Sequence, residues 1–166
     1  TMALFSFDLE SEYDKSEMNN VVDQAQREIA NRYDFKNTTA QLSWKNDEKQ
    51  ALLINGDTQF QLDAIIEIIR KKLALRGQSQ KCLDVSAEPT TNNLRMSLTV
   101  PLVRGLDQTK AKAITSLVRE HYKKVKTQIQ GETVRIMSAK KDELQNVITL
   151  LKTHEFDFPI IFTNYR

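Results

Sequence analysis

A chain of 166 residues, 40% hydrophobic and 28% charged, is long enough for one ordinary domain or two small ones sharing a core, and too apolar to be a disordered tail. Its formal charge is only +2, it has no run of about 18 apolar residues to cross a bilayer, and its single Cys82 excludes an internal disulfide and a multi-cysteine metal site. A lone thiol fits a reducing, cytoplasmic setting with no membrane partner. The charge is unevenly placed along the chain. Residues 1–90 hold 11 Lys/Arg against 15 Asp/Glu, whereas residues 91–166 hold 13 against 7, so a polyanion is expected to meet the C-terminal half.

Between Met2 and Asp8 no basic segment precedes an apolar one, so the start does not read as a secretory leader. Instead Phe5, Phe7 and Leu9 alternate with polar residues as a strand does. Met18, Val21, Val22, Ala25 and Ile29 then recur at helical spacing. Ala40, Leu42 and Trp44 alternate, a polar turn follows at Asn46-Asp47-Glu48, and Ala51 to Asn55 forms the return strand. A second helix carries Leu62, Ile65, Ile66, Ile69 and Leu73 and stops at Gly77, where a short strand is predicted to follow near Leu83-Asp84-Val85.

After a polar linker at Glu88-Pro89-Thr90-Thr91-Asn92-Asn93, the alternation restarts with Leu94, Met96, Leu98, Val100 and Leu102 on one face. A helix over about 107–122 buries Ile114, Leu117 and Val118, with Asp107 placed to cap it. Val125, Thr127 and Ile129 lead through a turn at Gly131 into Val134 and Ile136 as a hairpin. The last helix carries Leu144, Val147, Ile148 and Leu151, and Ile160 to Thr163 closes as a strand. The order strand, helix, strand, strand, helix, strand has occurred twice. It predicts an α+β protein of two tandem ferredoxin-like (βαββαβ) domains, 1–90 and 91–166, each an antiparallel sheet with helices on one face.

The chemistry-bearing residues point away from catalysis. Of the four glycines, Gly56, Gly77, Gly105 and Gly131, none begins a Walker loop or a Gly-x-Gly-x-x-Gly fingerprint. His121 and His154 fall near predicted helix C-termini, where they favourably meet free carbonyls. Cys82 has no sequence-adjacent base, and Asp8, Glu10, Glu12, Asp14 and Glu17 read as a strand exit and an acidic first helical turn. No cofactor is expected. The outward sheet positions Arg95, Ser97, Thr99, Lys126, Gln128 and Arg135 include no aromatic, so the stacking surface of an RNA-recognition sheet is missing.

Basic residues make the stronger case. Alternation puts Lys124, Lys126 and Gln128 on the side opposite Val125, Thr127 and Ile129, with Arg135 on the partner strand and Lys140 and Lys141 opening the last helix. At the exit of the first helix, Arg32-Tyr33-Asp34-Phe35-Lys36 packs two rings and three charges into five residues. An anion site is expected from Arg32, Lys36, Lys126 and Arg135, amides from Gln128 and Gln130, and Tyr33 as a base-stacking ring, with Phe35 as a core plug.

Arg27-Glu28 with Arg32-Tyr33-Asp34-Phe35-Lys36, Ser6-Phe7-Asp8, Gln128-Ile129-Gln130-Gly131-Glu132-Thr133-Val134-Arg135 and Asn164-Tyr165-Arg166 form four collinear blocks that resemble the YajQ family of bacterial proteins over essentially the whole chain. Two departures are Glu132, where the family usually has Asp, and the looser run Lys140-Lys141-Asp142-Glu143-Leu144-Gln145. The resemblance implies that first strands are exchanged, with Phe5–Glu10 pairing in the second sheet and Arg95–Val103 in the first. It also implies non-enzymatic nucleotide binding, in some members of cyclic di-GMP, and in others association with transfer RNA or with transcription control. The alternative expectation is a protein-interaction module, transcription- or chaperone-associated, whose same surface meets an acidic protein and no small molecule.

Overall fold

The structure is a computed structural model in which residues 4–166 are described. The chain runs β1 (Phe5–Glu10), α1 (Lys15–Asn31), β2 (Gln41–Trp44), β3 (Ala51–Gly56), α2 (Gln59–Leu75), β4 (Thr90–Asn92), β5 (Arg95–Pro101), α3 (Gln108–His121), β6 (Lys126–Gln130), β7 (Thr133–Ser138), α4 (Lys141–Thr153) and β8 (Ile161–Thr163). It forms an α+β protein with two four-stranded antiparallel sheets, ordered β6-β7-β1-β8 and β2-β3-β5-β4. Both orders match the ferredoxin-like plan. Contacts divide the chain into a continuous unit, Tyr13–Val103, and a discontinuous one that joins the segment up to Glu12 with Arg104–Arg166.

In the continuous unit, α1 starts where the Asp14 carboxylate accepts the Glu17 amide at 3.0 Å, and α2 where the Thr58 hydroxyl accepts that of Gln61 at 3.2 Å. The apolar stripe of α1 (Met18, Val21, Val22, Ala25, Ile29) and that of α2 (Leu62, Ile65, Ile66, Ile69, Leu73) pack on Leu42, Leu52, Ile54, Leu98 and Val100 of the sheet. Each such aliphatic side chain contributes about 1.5–3 kcal/mol by burial, so the core outweighs any single surface contact. Glu28–Lys72 at 2.9 Å and Glu17–Arg76 tie the two helices at their rims. Gly77, at φ +69°, ends α2 as expected, with the Gln78 amide reaching back to the Leu73 carbonyl at 2.8 Å. Register aligns Gln41 with Asn55 and Asn55 with Ser97, which places these residues on the face away from the helices.

In the discontinuous unit, β1 lies between β7 and β8. Phe7 and Leu9 of β1, with Val134 and Ile136 of β7, meet Ile114 and Val118 of α3 and Leu144, Val147 and Leu151 of α4 in the buried layer. Asp107 caps α3 through the Lys110 amide at 2.8 Å. Beyond β8 the backbone of Arg166 exchanges two hydrogen bonds with Ser6, at 3.0 and 3.2 Å, so the chain end continues along β1. β5 has the corresponding place in the other sheet, between β3 and β4.

Several sequence expectations are corrected. Residues 83–85 do not form a strand: a short 3₁₀ turn at Gln80–Cys82 is followed by one bridge, Leu83 to Leu102. The polar stretch expected as a linker holds β4, which pairs with β5 through the two-residue turn Asn93-Leu94, both at positive φ (51° and 66°). Leu94, expected on the buried face, is therefore 90% exposed at a hairpin tip. Ile129 is exposed on the edge strand β6 and not buried. The charge asymmetry dissolves as well. The discontinuous unit has 12 Lys/Arg against 10 Asp/Glu and the continuous one 12 against 12, because the acidic β1 segment sits with the basic C-terminal stretch while Arg95 belongs to the other unit. Among the described residues no helix is long and apolar enough to cross a membrane.

Candidate functional site

The Arg32–Lys36 corner is a 3₁₀ turn directly after α1, in the continuous unit. Phe35 is buried, the core plug its position predicted. Arg32 spends its guanidinium on Asp34, Nε to Oδ1 at 2.9 Å and Nη2 to Oδ2 at 2.6 Å, while its Cζ lies 4.5 Å from the centre of the Phe35 ring. The hydrogen bond from Arg32 holds the Asp34 carboxyl below its ordinary range, and the same bond raises the guanidinium. Tyr33 is 87% exposed, with the Lys36 ammonium 5.8 Å from its ring centre. The corner thus offers one exposed ring with a cation over it.

In the discontinuous unit, Lys126, Gln128 and Gln130 project from one side of β6, opposite Met137, Arg135 and Thr133 of β7. All three are exposed, and among the described residues none of their side chains hydrogen-bonds or ion-pairs with another protein group. Arg135 is different. Its Nε donates to Asp8 Oδ1 at 2.9 Å and its Nη2 to Oδ2 at 3.4 Å, and Asn164 Nδ2 donates to the same Oδ2 at 3.0 Å. Asp8 is buried, yet the Arg135 hydrogen bond outweighs desolvation and holds its carboxyl below the ordinary 3.8. Three of the four motif blocks therefore meet at one carboxylate, and their first role is to fasten β1 between β7 and β8. Glu132 lies over Gly105, where a Cβ would stand 3.0 Å from its Oε1 and φ is +84°.

The expected site residues thus fall into two groups. Arg32, Tyr33 and Lys36 belong to one unit, and Lys126, Gln128, Gln130 and Arg135 to the other. Elsewhere, burial pushes the Cys82 thiol up to about 11, too high to supply a thiolate near neutrality. His121 ends α3 with Nδ1 3.1 Å from the Leu117 carbonyl, and His154 follows α4 with its ring 4.5 Å from that of Phe156. Among the described residues no three His, Cys, Asp or Glu side chains are grouped to hold a metal.

Sequence reasoning missed a hollow on the open face of the β2-β3-β5-β4 sheet. It measures about 450 Å³ and is lined by Gln41, Asn55, Thr90, Asn92, Arg95 and Ser97, among others. A second hollow of about 320 Å³, lined by Phe35 and Lys36, shares Ala40 and Gln41 with it. Arg95, Ser97 and Thr99 were legible as outward positions. The strand β4 that walls the hollow was not, because its turn lacks the glycine that usually marks such a hairpin.

Two ferredoxin-like units with polar open faces define the protein's class as α+β. Within it, residues 5–166 match the family model described as nucleotide-binding protein YajQ-like. The chain is 40% identical over 161 residues to a nucleotide-binding protein of Trichodesmium erythraeum, covering 97% of each. It is also 40% identical to one of Saccharopolyspora erythraea and 37% to one of Streptomyces coelicolor, each covering 99% of this chain and all of the relative. The chain belongs to the YajQ-like nucleotide-binding protein family.

Proposed function

We propose that the chain is a non-enzymatic, cytoplasmic nucleotide-binding protein that meets phosphate on the β6–β7 strip. The observation that carries this reading is the uncommitted row Lys126, Gln128 and Gln130: one ammonium and two amides on one side of an exposed strand. Arg135 stands beside Gln128 in register, and its bonds to Asp8 leave three of its five N–H groups to donate. Such donors suit phosphate oxygens, and a cyclic dinucleotide such as cyclic di-GMP and short RNA are the ligands to try first. In the continuous unit the exposed Tyr33 ring, with Arg32 and Lys36 beside it, suits base stacking, which contributes about 1–3 kcal/mol per base. The raised thiol of Cys82 and the capping places of the histidines support binding without turnover.

Isothermal titration of GTP, cyclic di-GMP and a short RNA at two salt concentrations tests the reading, with an acidic peptide as control. Affinity should fall as salt rises, and Lys126→Ala with Gln128→Ala should weaken it about tenfold. Binding of the acidic peptide alone would replace this reading with a protein-interaction surface.

A further inference from the structure

We propose that the hollow on the open face of the β2-β3-β5-β4 sheet is a seat for a nucleoside monophosphate, with Arg95 meeting the phosphate and the amides of Gln41, Asn55 and Asn92 meeting the base and ribose. This inference rests on the reading of the chain as a nucleotide binder, and it adds a site in the continuous unit that the expected residues do not include.

Several lining groups are already spent on the protein itself. The Thr38 hydroxyl donates to the Phe35 carbonyl at 2.7 Å and accepts the Ala40 amide at 3.2 Å, and the Thr39 backbone and hydroxyl both bond to Asp57. Ser97 Oγ donates to Asn55 Oδ1 at 2.6 Å, which fixes that amide and leaves its NH₂ to donate. Gln41, Thr90, Asn92 and Arg95 have no hydrogen-bond partner among the described side chains. The hollow therefore presents amides that both donate and accept, one hydroxyl and one guanidinium.

Charge sets the ligand. Asp57 is the acidic group that Arg95 feels, but its carboxylate is engaged by Thr39, which lowers its pKa more than the charge of Arg95 does. Among the described residues Arg95 is consequently a cation with no carboxylate bonded to it, in a hollow otherwise lined by neutral groups. A single fork of N–H donors matches a single terminal phosphate. The volume of about 450 Å³ lies within the range of roughly 300–1,000 Å³ usual for small-ligand sites. Among the described residues no aromatic side chain lines it, so the base is held through its polar edge and not by stacking. The tight Asn93-Leu94 turn holds Asn92 directly opposite Arg95 and keeps the wall of the seat in register.

The test is titration of the full chain with the four 5′-monophosphates and their matching nucleosides, read by calorimetry and by NMR of side-chain amides. At least one monophosphate should bind at least about tenfold more tightly than its nucleoside, and Arg95→Ala should abolish that preference as read at the side-chain amides of Asn55 and Asn92. The side-chain NH₂ resonances of Asn55 and Asn92 should move on binding. Monophosphate binding that survives Arg95→Ala and is lost on changing Lys126 and Gln128 overturns this seat and leaves the nucleotide reading standing. Absence of binding by every nucleotide, including those tried on the β6–β7 strip, overturns both.

Discussion

On the β6-β7-β1-β8 sheet the outward arginine, Arg135, is bonded at 2.9 Å to a buried carboxylate on the next strand; on the β2-β3-β5-β4 sheet the outward arginine, Arg95, faces Asn92 across the β4–β5 pair and bonds to no carboxylate among the described residues. The sheets share a strand plan, so the fold does not decide what each arginine does. The neighbouring residue does. Asp8 on β1 turns Arg135 into a fastener for a strand whose sheet partners β7 and β8 come far later in sequence, whereas Asp57 beside β3 is engaged by Thr39 and acts on Arg95 through charge alone, which leaves the guanidinium to solvent or ligand. A cation on an open sheet face is evidence of a site only when no carboxylate is bonded to it.

The largest test of this contrast is Arg135→Ala, which leaves Asp8 buried and without its main partner. Breaking a buried pair in this way costs about 3–5 kcal/mol, and the partial exposure of Arg135 places the loss near the lower end. Urea unfolding measures it; a loss under about 1 kcal/mol would mean that the pair is no fastener. Arg135→Lys should recover part of the loss, since an ammonium keeps the charge and forfeits the fork.

The pH dependence follows from the same pair. The folded carboxyl of Asp8 lies below its ordinary 3.8, so its contribution to stability is fully present above that value and is lost as pH falls through the folded pKa. The stability gap between the wild type and Asp8→Asn should therefore be constant near neutrality and shrink in the acid limb. A gap that widened on acidification would reverse the sign of the linkage and remove Asp8 as a stabilising anion.

Most of the fold was legible because it is written in periodicity. Met18 to Ile29, Leu62 to Leu73 and Leu144 to Leu151 lie on the buried stripes their spacing defined. What escaped was carried by residues that break a local habit. The β4–β5 hairpin turns on Asn93-Leu94 where Asn-Gly is the usual signal, so a strand read as a linker. The fastening role of Asp8 needed Arg135 and Asn164, distant by 127 and 156 positions, and no local pattern joins them. The charge halves misled for a related reason, because sequence halves are not folded units. Tyr33, Lys126 and Gln128 were legible as exposed polar or aromatic positions, but the hollow beside Arg95 was not, since one of its walls was the unrecognised strand.

The Asn93-Leu94 turn offers a milder test. Leu94 holds φ +66°, a region that costs an L-residue about 1–2 kcal/mol, and its side chain is almost fully exposed, so it recovers little by packing. Leu94→Gly relieves the strain and loses part of the gain to the greater freedom of glycine in the unfolded chain, for a net stabilisation of about 0.5–1 kcal/mol in thermal or urea unfolding. Destabilisation would show that the leucine makes contacts that hold the hairpin.

The smallest expected effect is the most pointed. Arg95 is exposed and its guanidinium hydrogen-bonds to no protein group among the described residues, so Arg95→Ala should change unfolding stability by no more than about 0.5 kcal/mol. Set beside Arg135→Ala in the same assay, the identical substitution on two sheets of one plan then differs several-fold in cost. Removing Arg95 also removes the cation that steadies the ionised Asp57, a minor effect because Thr39 supplies the larger share. A loss at Arg95 comparable to that at Arg135 would mean that the guanidinium is spent inside the protein after all, and the open face of the β2-β3-β5-β4 sheet would be a fastened surface like the other.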